Sequence, residues 1–259
     1  MTNSFHGYPE TAPLFEWWVP PSRPSHKPIL VFKPWREAGI LHGMVGNGYD
    51  FVGDGEAEIA RLGAACGIIE LAVPAQCHGS DLVDLRTTEA LEHHRASFGS
   101  LFRSTQGDAI ATEAQRGIGL GVYTADCVPI IVRIGFTWCC IHAGWKGLAN
   151  GVIGKTVEAL GLSLVGAEAV IFACAGADIY EVGAEVINQI GPSCVAQPSA
   201  GGRYLLDLAE TAASQLKSLD SQLSIYSADV CTVRSEGLHS YRRDGSQSGR
   251  NLTFVMPPG

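Results

Sequence analysis

Residues Tyr123–Gly151 read "YTADCVPIIVRIGFTWCCIHAGWKGLANG". The runs "VPIIVRIG" and "TWCCIHAG" are rich in the β-branched and aromatic residues of buried strands, and a glycine turn separates them. Within this stretch Cys127 stands apart from Cys139 and Cys140. Asp126 precedes it and Pro129 breaks the chain just after it, so one strand ends there and its thiol is aimed out of the core. His142 closes the second run ahead of "AGWKG", where a small neighbour lets a ligand or another backbone approach the ring.

Outward from this stretch, the pattern predicts further alternation of strands and helices. A helix is expected from Glu56 to Cys66, followed by strand-like "IIELAVPAQCHGSDLVDL". Another helix should run from about Leu148 to Leu160, and "AEAVIFACAG" should follow as a buried strand. "EVGAEVINQIG" and "LLDLAETAASQLKSL" have helical periodicity, the second with Asp207 in its first turn. "LSIYSADVCT" and "NLTFVMP" close the chain as strands. No internal repeat or central linker interrupts the order, and strict β-α alternation is absent. A single α/β (α+β) domain with mixed sheets is therefore expected, rather than a doubly wound parallel fold.

Residues 1–34 hold seven of the 13 prolines, which predicts a Pro-rich extended arm preceding a main domain over 35–259. Phe15, Trp17 and Trp18 are expected to pack that arm onto the body and cover a sheet edge.

Composition narrows the class of partner. The net charge of −8 over 259 residues disfavours a nucleic-acid polymer or an anionic membrane, because both are bound through Lys and Arg. A small molecule remains. Five of the eight cysteines (Cys66, Cys139, Cys140, Cys174, Cys231) lie in apolar surroundings, which suits reduced thiols rather than a disulfide scaffold. The first residues lack the pattern of a signal peptide, and no apolar run reaches ~18 residues, so the expected location is cytoplasmic.

Among the eight histidines, only His78 in "AQCHGSD" and His142 sit among small residues at strand ends. With Cys127 they would make a three-ligand zinc site with an open fourth position, the arrangement of catalytic zinc. The gaps of 49 and 15 residues match no local zinc motif. The same residues admit a second chemistry, with Cys127 as nucleophile and His142 or His78 as its base. Near the C-terminus "SYRRDGSQSGR" gathers Arg242, Arg243 and Arg250, a set suited to an anion such as phosphate. A solvated hairpin whose arginines pair with Asp244 is the competing reading. "ANGVIGKT" has Ala149 where a phosphate-binding loop needs its first glycine, and reads as ordinary helix.

In this order, "CHG", "GDAIAT", "YTADCVPI", "IHAGWKGLANGVI", "YEVG", "CT" and "SYRRDGSQSGR" resemble the YfiH family, also called the laccase-domain or multicopper polyphenol oxidase family, over roughly Leu41 to Val255. The resemblance implies an α/β/β/α layered fold and metal ligands at His78, Cys127 and His142. It implies a zinc-dependent purine nucleoside phosphorylase that takes adenosine, inosine or methylthioadenosine with phosphate to the base and ribose 1-phosphate, with adenosine deaminase activity beside it. A bound zinc can acidify its water or polarise a substrate atom. In deamination, Asp108 or Asp126 would move protons. In phosphorolysis Arg242, Arg243 or Arg250 would hold phosphate.

The family resemblance also implies an amidase that edits peptidoglycan precursors, while the residues themselves leave open a Cys-His hydrolase or a mononuclear copper polyphenol oxidase, and departures from the family's pattern leave open a metal-binding protein without activity. Copper fits a His₂Cys site, but eight scattered histidines are too few for a trinuclear cluster as well, which excludes a four-copper oxidase.

Two departures stand out. "LHGMVGNGYDFVGDG" keeps His42 and Gly43 but lacks the family's Arg-x-Gly-Gly-x-Ser segment. "FACAGADI" replaces a Gly-Pro-x-Ile-Gly-Pro run. Both imply a substrate pocket that differs from the family's.

Overall fold

The computed structural model describes residues 7–21, 26–52, 55–98 and 101–259. Its strands are β1 (Phe15–Trp18), β2 (Ile29–Phe32), β3 (Leu41–Val45), β4 (Leu71–Ala75), β5 (Leu82–Asp84), β6 (Leu101–Gln106), β7 (Ala109–Glu113) and β8 (Gly119–Thr124). Then come β9 (Val128–Ile134), β10 (Thr137–Ala143), β11 (Glu168–Ile171), β12 (Glu181–Val182), β13 (Ala196–Pro198), β14 (Tyr204–Leu206), β15 (Ser224–Ser227) and β16 (Asn251–Met256). The helices are α1 (Lys33–Glu37), α2 (Gly55–Cys66), α3 (Thr88–Phe98), α4 (Trp145–Ala149), α5 (Val152–Leu160), α6 (Ala184–Ile190), α7 (Leu208–Leu219) and α8 (Tyr241–Asp244).

These elements form a seven-stranded sheet in the order β1-β2-β3-β16-β8-β4-β6 and a six-stranded sheet in the order β15-β11-β9-β10-β7-β5. A small third sheet, β12-β14-β13, stands beside them. Strand alternation divides the core. On β9 and β10, Ile130, Val132, Cys139 and Ile141 pack with α5 and α7, whereas Ile131, Trp138 and Cys140 pack with Met44, Leu120 and Val255 of the other sheet. On the far face of the seven-stranded sheet, Leu71, Val73 and Phe254 meet Ile59 and Leu62 of α2. The layers are thus helix, sheet, sheet, helix. Both faces of β9 and β10 are buried, so these strands read as continuous apolar runs.

Three connections, β4 to β5, β6 to β7 and β8 to β9, each carry the chain from the seven-stranded to the six-stranded sheet. Their loops contain His78, Asp108 and Cys127. Residues 49 positions apart therefore meet at one end of the sandwich.

Several local expectations change. Pro129 does not end a strand: it is the second residue of β9 and lies opposite His142 in the ladder with β10. The turn comes instead from Asp126, whose φ of 88° puts it in the left-handed region. The helix expected from Leu148 is two helices, interrupted by Gly151 at φ 72°. Asp207 is the N-cap of α7 rather than a first-turn residue, accepting the Glu210 N–H at 2.9 Å. Among the described residues of the N-terminal segment, β1 forms the edge of the large sheet by pairing with β2, and Pro34 lies inside α1. Phe15 is buried against Phe32 and Phe172. No described helix is long and apolar enough to cross a membrane.

Candidate metal centre and its cavity

His78, Cys127 and His142 each offer a ligand atom within 4.8 Å of the other two. His142 is buried at the end of β10, Cys127 is half-buried in the β8–β9 turn, and His78 is exposed in the β4–β5 loop. His78 has φ 61° and Asp126 has φ 88°, so two non-glycine residues beside the centre adopt the left-handed conformation. Such backbone persists where the surrounding bonds over-determine it.

Asp108 supplies many of those bonds. Its Oδ1 accepts His142 Nδ1–H at 2.7 Å and the His78 N–H at 3.0 Å. Its Oδ2 accepts the Gly79 N–H at 2.6 Å, the Cys77 N–H at 3.3 Å and the Cys77 thiol at 3.2 Å. Burial alone would raise this carboxyl, but the bonds from His142 and Gly79 outweigh it and hold the group well below the usual carboxylate range. With Nδ1 committed, His142 turns Nε2 toward Cys127. Burial likewise pushes the Cys127 thiol up, yet the two imidazoles beside it bring it down to about 6. Burial would lower His142, but the Cys127 charge and the Asp108 bond raise it to about 9. Each charge of the pair thus favours the other.

This donor set fits a metal. Two imidazoles and a thiolate suit zinc or copper, and the carboxylate behind His142 is the usual partner that fixes a ligand's tautomer. Gly144 completes the cradle: a Cβ there would lie 2.7 Å from Cys127 Sγ and 3.3 Å from His78 Cδ2. Proton transfer by Asp108 or Asp126 does not agree with their surroundings. Asp108 is fully buried and saturated by five donors, whereas Asp126 is buried with Oδ1 on the Thr232 hydroxyl and Oδ2 on the Arg242 N–H, both at 2.6 Å. Both carboxylates hold the loops in place.

The three ligands open into a cavity of about 790 Å³. Lys146, Arg242 and Arg250 bring positive charge to its wall, and Trp145, Tyr180 and Tyr241 bring aromatic faces. The Arg242 guanidinium lies 4.3 Å from the Tyr180 ring centroid and donates to Glu181 O at 3.0 Å. Burial pushes the Tyr180 phenol up to about 12, with the Cys127 charge adding to it. Arg243 points elsewhere. It donates to the carbonyls of Thr232, Ser235 and Leu238 and pairs with Asp244, so it braces the C-terminal loop instead of lining the cavity. His42 is also structural: Nε2 accepts the Phe32 N–H and Nδ1–H donates to Ile40 O, both at 2.9 Å.

Sequence reading left Tyr180, Lys146, Trp145 and Gln76 without a role. The first three lie inside "YEVG" and "HAGWKG", which marked the region but not the direction of each side chain. Gln76 spends its amide on Tyr123 O and its carbonyl on Tyr123 N, closing one side of the cavity.

The family model described as "Multi-copper polyphenol oxidoreductase laccase" matches residues 48–257, and the chain belongs to this family. It is 35% identical over 148 residues to a purine nucleoside phosphorylase of Xylella fastidiosa, covering 54% of this chain and 56% of that protein. It is 32% identical over 188 residues to the purine nucleoside phosphorylase YfiH of Shigella flexneri, covering 70% of this chain and 71% of that one. The match thus spans little more than half of the Xylella relative's length. The fold is that of YlmD from Geobacillus stearothermophilus, with a TM-score of 0.76 and 24% identity over 89% of this chain and 96% of that one. YfiH from Bacillus licheniformis aligns with a TM-score of 0.73 and 20% identity, over 88% of this chain and 95% of that one.

Proposed function

We propose that this member of the laccase-like family is a zinc-dependent purine nucleoside phosphorylase, converting adenosine, inosine or methylthioadenosine and phosphate to the free base and ribose 1-phosphate. One observation carries the reading: a single cavity joins the His78, Cys127 and His142 donor set to three cationic and four aromatic side chains. A nucleoside needs an aromatic wall and phosphate needs cations, and about 790 Å³ is enough for both. The names of the curated relatives support the same activity.

When bound, zinc supplies Lewis acidity toward an electronegative substrate atom. The chain's own residues do the rest. Asp108 keeps His142 in one tautomer, and Asp126 anchors the Arg242 backbone. Arg242, Arg250 and Lys146 bind the phosphate oxygens, while Trp145 and Tyr241 offer faces to the purine. Zinc is preferred to copper because a blue-copper centre commonly adds a methionine, and among the described residues no Met lines this cavity. Adenosine deamination is a weaker companion activity here, because both oxygens of Asp108 and of Asp126 are already engaged by hydrogen bonds within the protein.

A second reading has its own support. Cys127, His142 and Asp108 stand in the order of nucleophile, base and orienting carboxylate, as a metal-free hydrolase acting on a peptidoglycan-precursor amide would require. A nucleoside panel, with and without phosphate, separates the two on the zinc-loaded protein, on chelator-stripped protein and on Cys127→Ala. Phosphorolysis predicts base release only with phosphate and metal. Activity of stripped protein on a muropeptide amide, with none on nucleosides, would replace it with the hydrolase.

A further inference from the structure

We propose that Tyr180 is a catalytic residue whose hydroxyl donates a hydrogen bond to the purine as it departs, an inference that rests on the phosphorolysis reading above. In that reaction the C1′–N9 bond breaks with its electron pair passing to the purine, and a phosphate oxygen forms the new bond at C1′. The proton of the attacking hydrogen phosphate ends on the base, so ribose 1-phosphate and neutral purine account for every atom. Until that proton arrives, negative charge builds on the ring. A donor already in position there lowers the barrier.

Apart from Lys146, Arg242 and Arg250, which serve phosphate, and Trp145, which offers its ring face, few side chains on the cavity wall can donate. Asp126 and, behind the wall, Asp108 have both carboxylate oxygens engaged as acceptors, Gln76 has both ends on Tyr123, and His142 Nδ1–H is spent on Asp108. The Thr124 hydroxyl oxygen is closed off from solvent, and Tyr241 stands 57% exposed at the rim.

Tyr180 differs from all of these. It lines the cavity just ahead of β12, in the same wall as Cys127 and His142, and the Arg242 guanidinium packs 4.3 Å from its ring centroid. A guanidinium offers no acceptor, so this neighbour does not take up the phenolic hydrogen. The same cavity is lined by His78, Cys127 and His142, so a nucleoside held at the metal centre lies in the space the phenol borders. Arg242 thereby braces the phenol ring against the cavity wall.

Tyr180→Phe tests this, because it keeps the ring under Arg242 and removes only the hydroxyl. With inosine and phosphate, kcat should fall about 10²-fold while KM for phosphate stays within about twofold. With 7-methylinosine, whose base already carries positive charge and leaves neutral without a donor, the variant should stay within about threefold of the parent. Equal losses on both substrates, or no loss on inosine, overturn the assignment. A variant that loses its zinc or its melting transition would lose both substrates equally and counts against it. A parent protein that cleaves neither nucleoside with phosphate overturns the phosphorolysis reading and this inference together. An active parent whose variant fails the comparison overturns Tyr180 alone.

Discussion

Asp108 Oδ1 sits 2.7 Å from His142 Nδ1, and the same oxygen accepts the backbone N–H of His78 at 3.0 Å. One carboxylate therefore positions two of the three candidate ligands, from a loop that contributes no ligand itself. Asp108→Asn replaces one acceptor oxygen with an NH₂ group facing N–H donors. Zinc affinity, measured by competition with a chromophoric chelator, should fall about 10- to 100-fold. Unchanged affinity would mean that the ligands hold their geometry without it.

Gly144 is the second control on the centre. Its missing Cβ leaves the space beside Cys127 Sγ and His78 Cδ2, and its φ of −75° is open to any residue. Gly144→Ala should therefore keep the fold, seen as an unchanged far-UV circular dichroism spectrum. Bound zinc by mass spectrometry should drop well below one ion per chain.

The two adjacent arginines should separate cleanly. Arg242→Ala is expected to raise KM for phosphate about tenfold, since it removes a charged ligand from the cavity wall. Arg243→Ala should leave that KM alone and lower stability by about 1–2 kcal/mol, because its partners are backbone carbonyls and Asp244. Denaturant titration and steady-state kinetics of both variants check the assignment.

His42 should make stability depend on pH away from the active centre. Burial lowers its pKa from 6.5 to about 4. Between these values the unfolded chain binds a proton that the folded chain does not. Stability therefore rises with pH across this window and is lost on acidification, by about 3 kcal/mol between pH 6.5 and 4. Urea titrations at several pH values should show this slope in the parent protein, and a shallower one in His42→Gln.

Much of this was legible in the chain itself. The apolar runs of β9 and β10 announce strands buried on both faces, and the helices α2 and α7 follow from their 3.6-residue periodicity. His78, Cys127 and His142 stand out because small or turn-forming residues surround each of them. The pattern does not say why Cys127 leaves the core, since the turn depends on Asp126 being held at positive φ by Thr232, Ala175 and Arg242 from distant segments.

Local chemistry along the chain determined which residues could ligate a metal and which runs could form strands, because side-chain type and period act over a few neighbours. Only the tertiary structure decided that Asp108 and Asp126 are braces, that Arg242 faces the cavity while Arg243 turns away, and that Tyr180 joins the centre. Those outcomes depend on three crossings between two sheets, which bring distant loops to one end of the sandwich. Direction and partners there are set by hydrogen bonds between segments far apart in sequence.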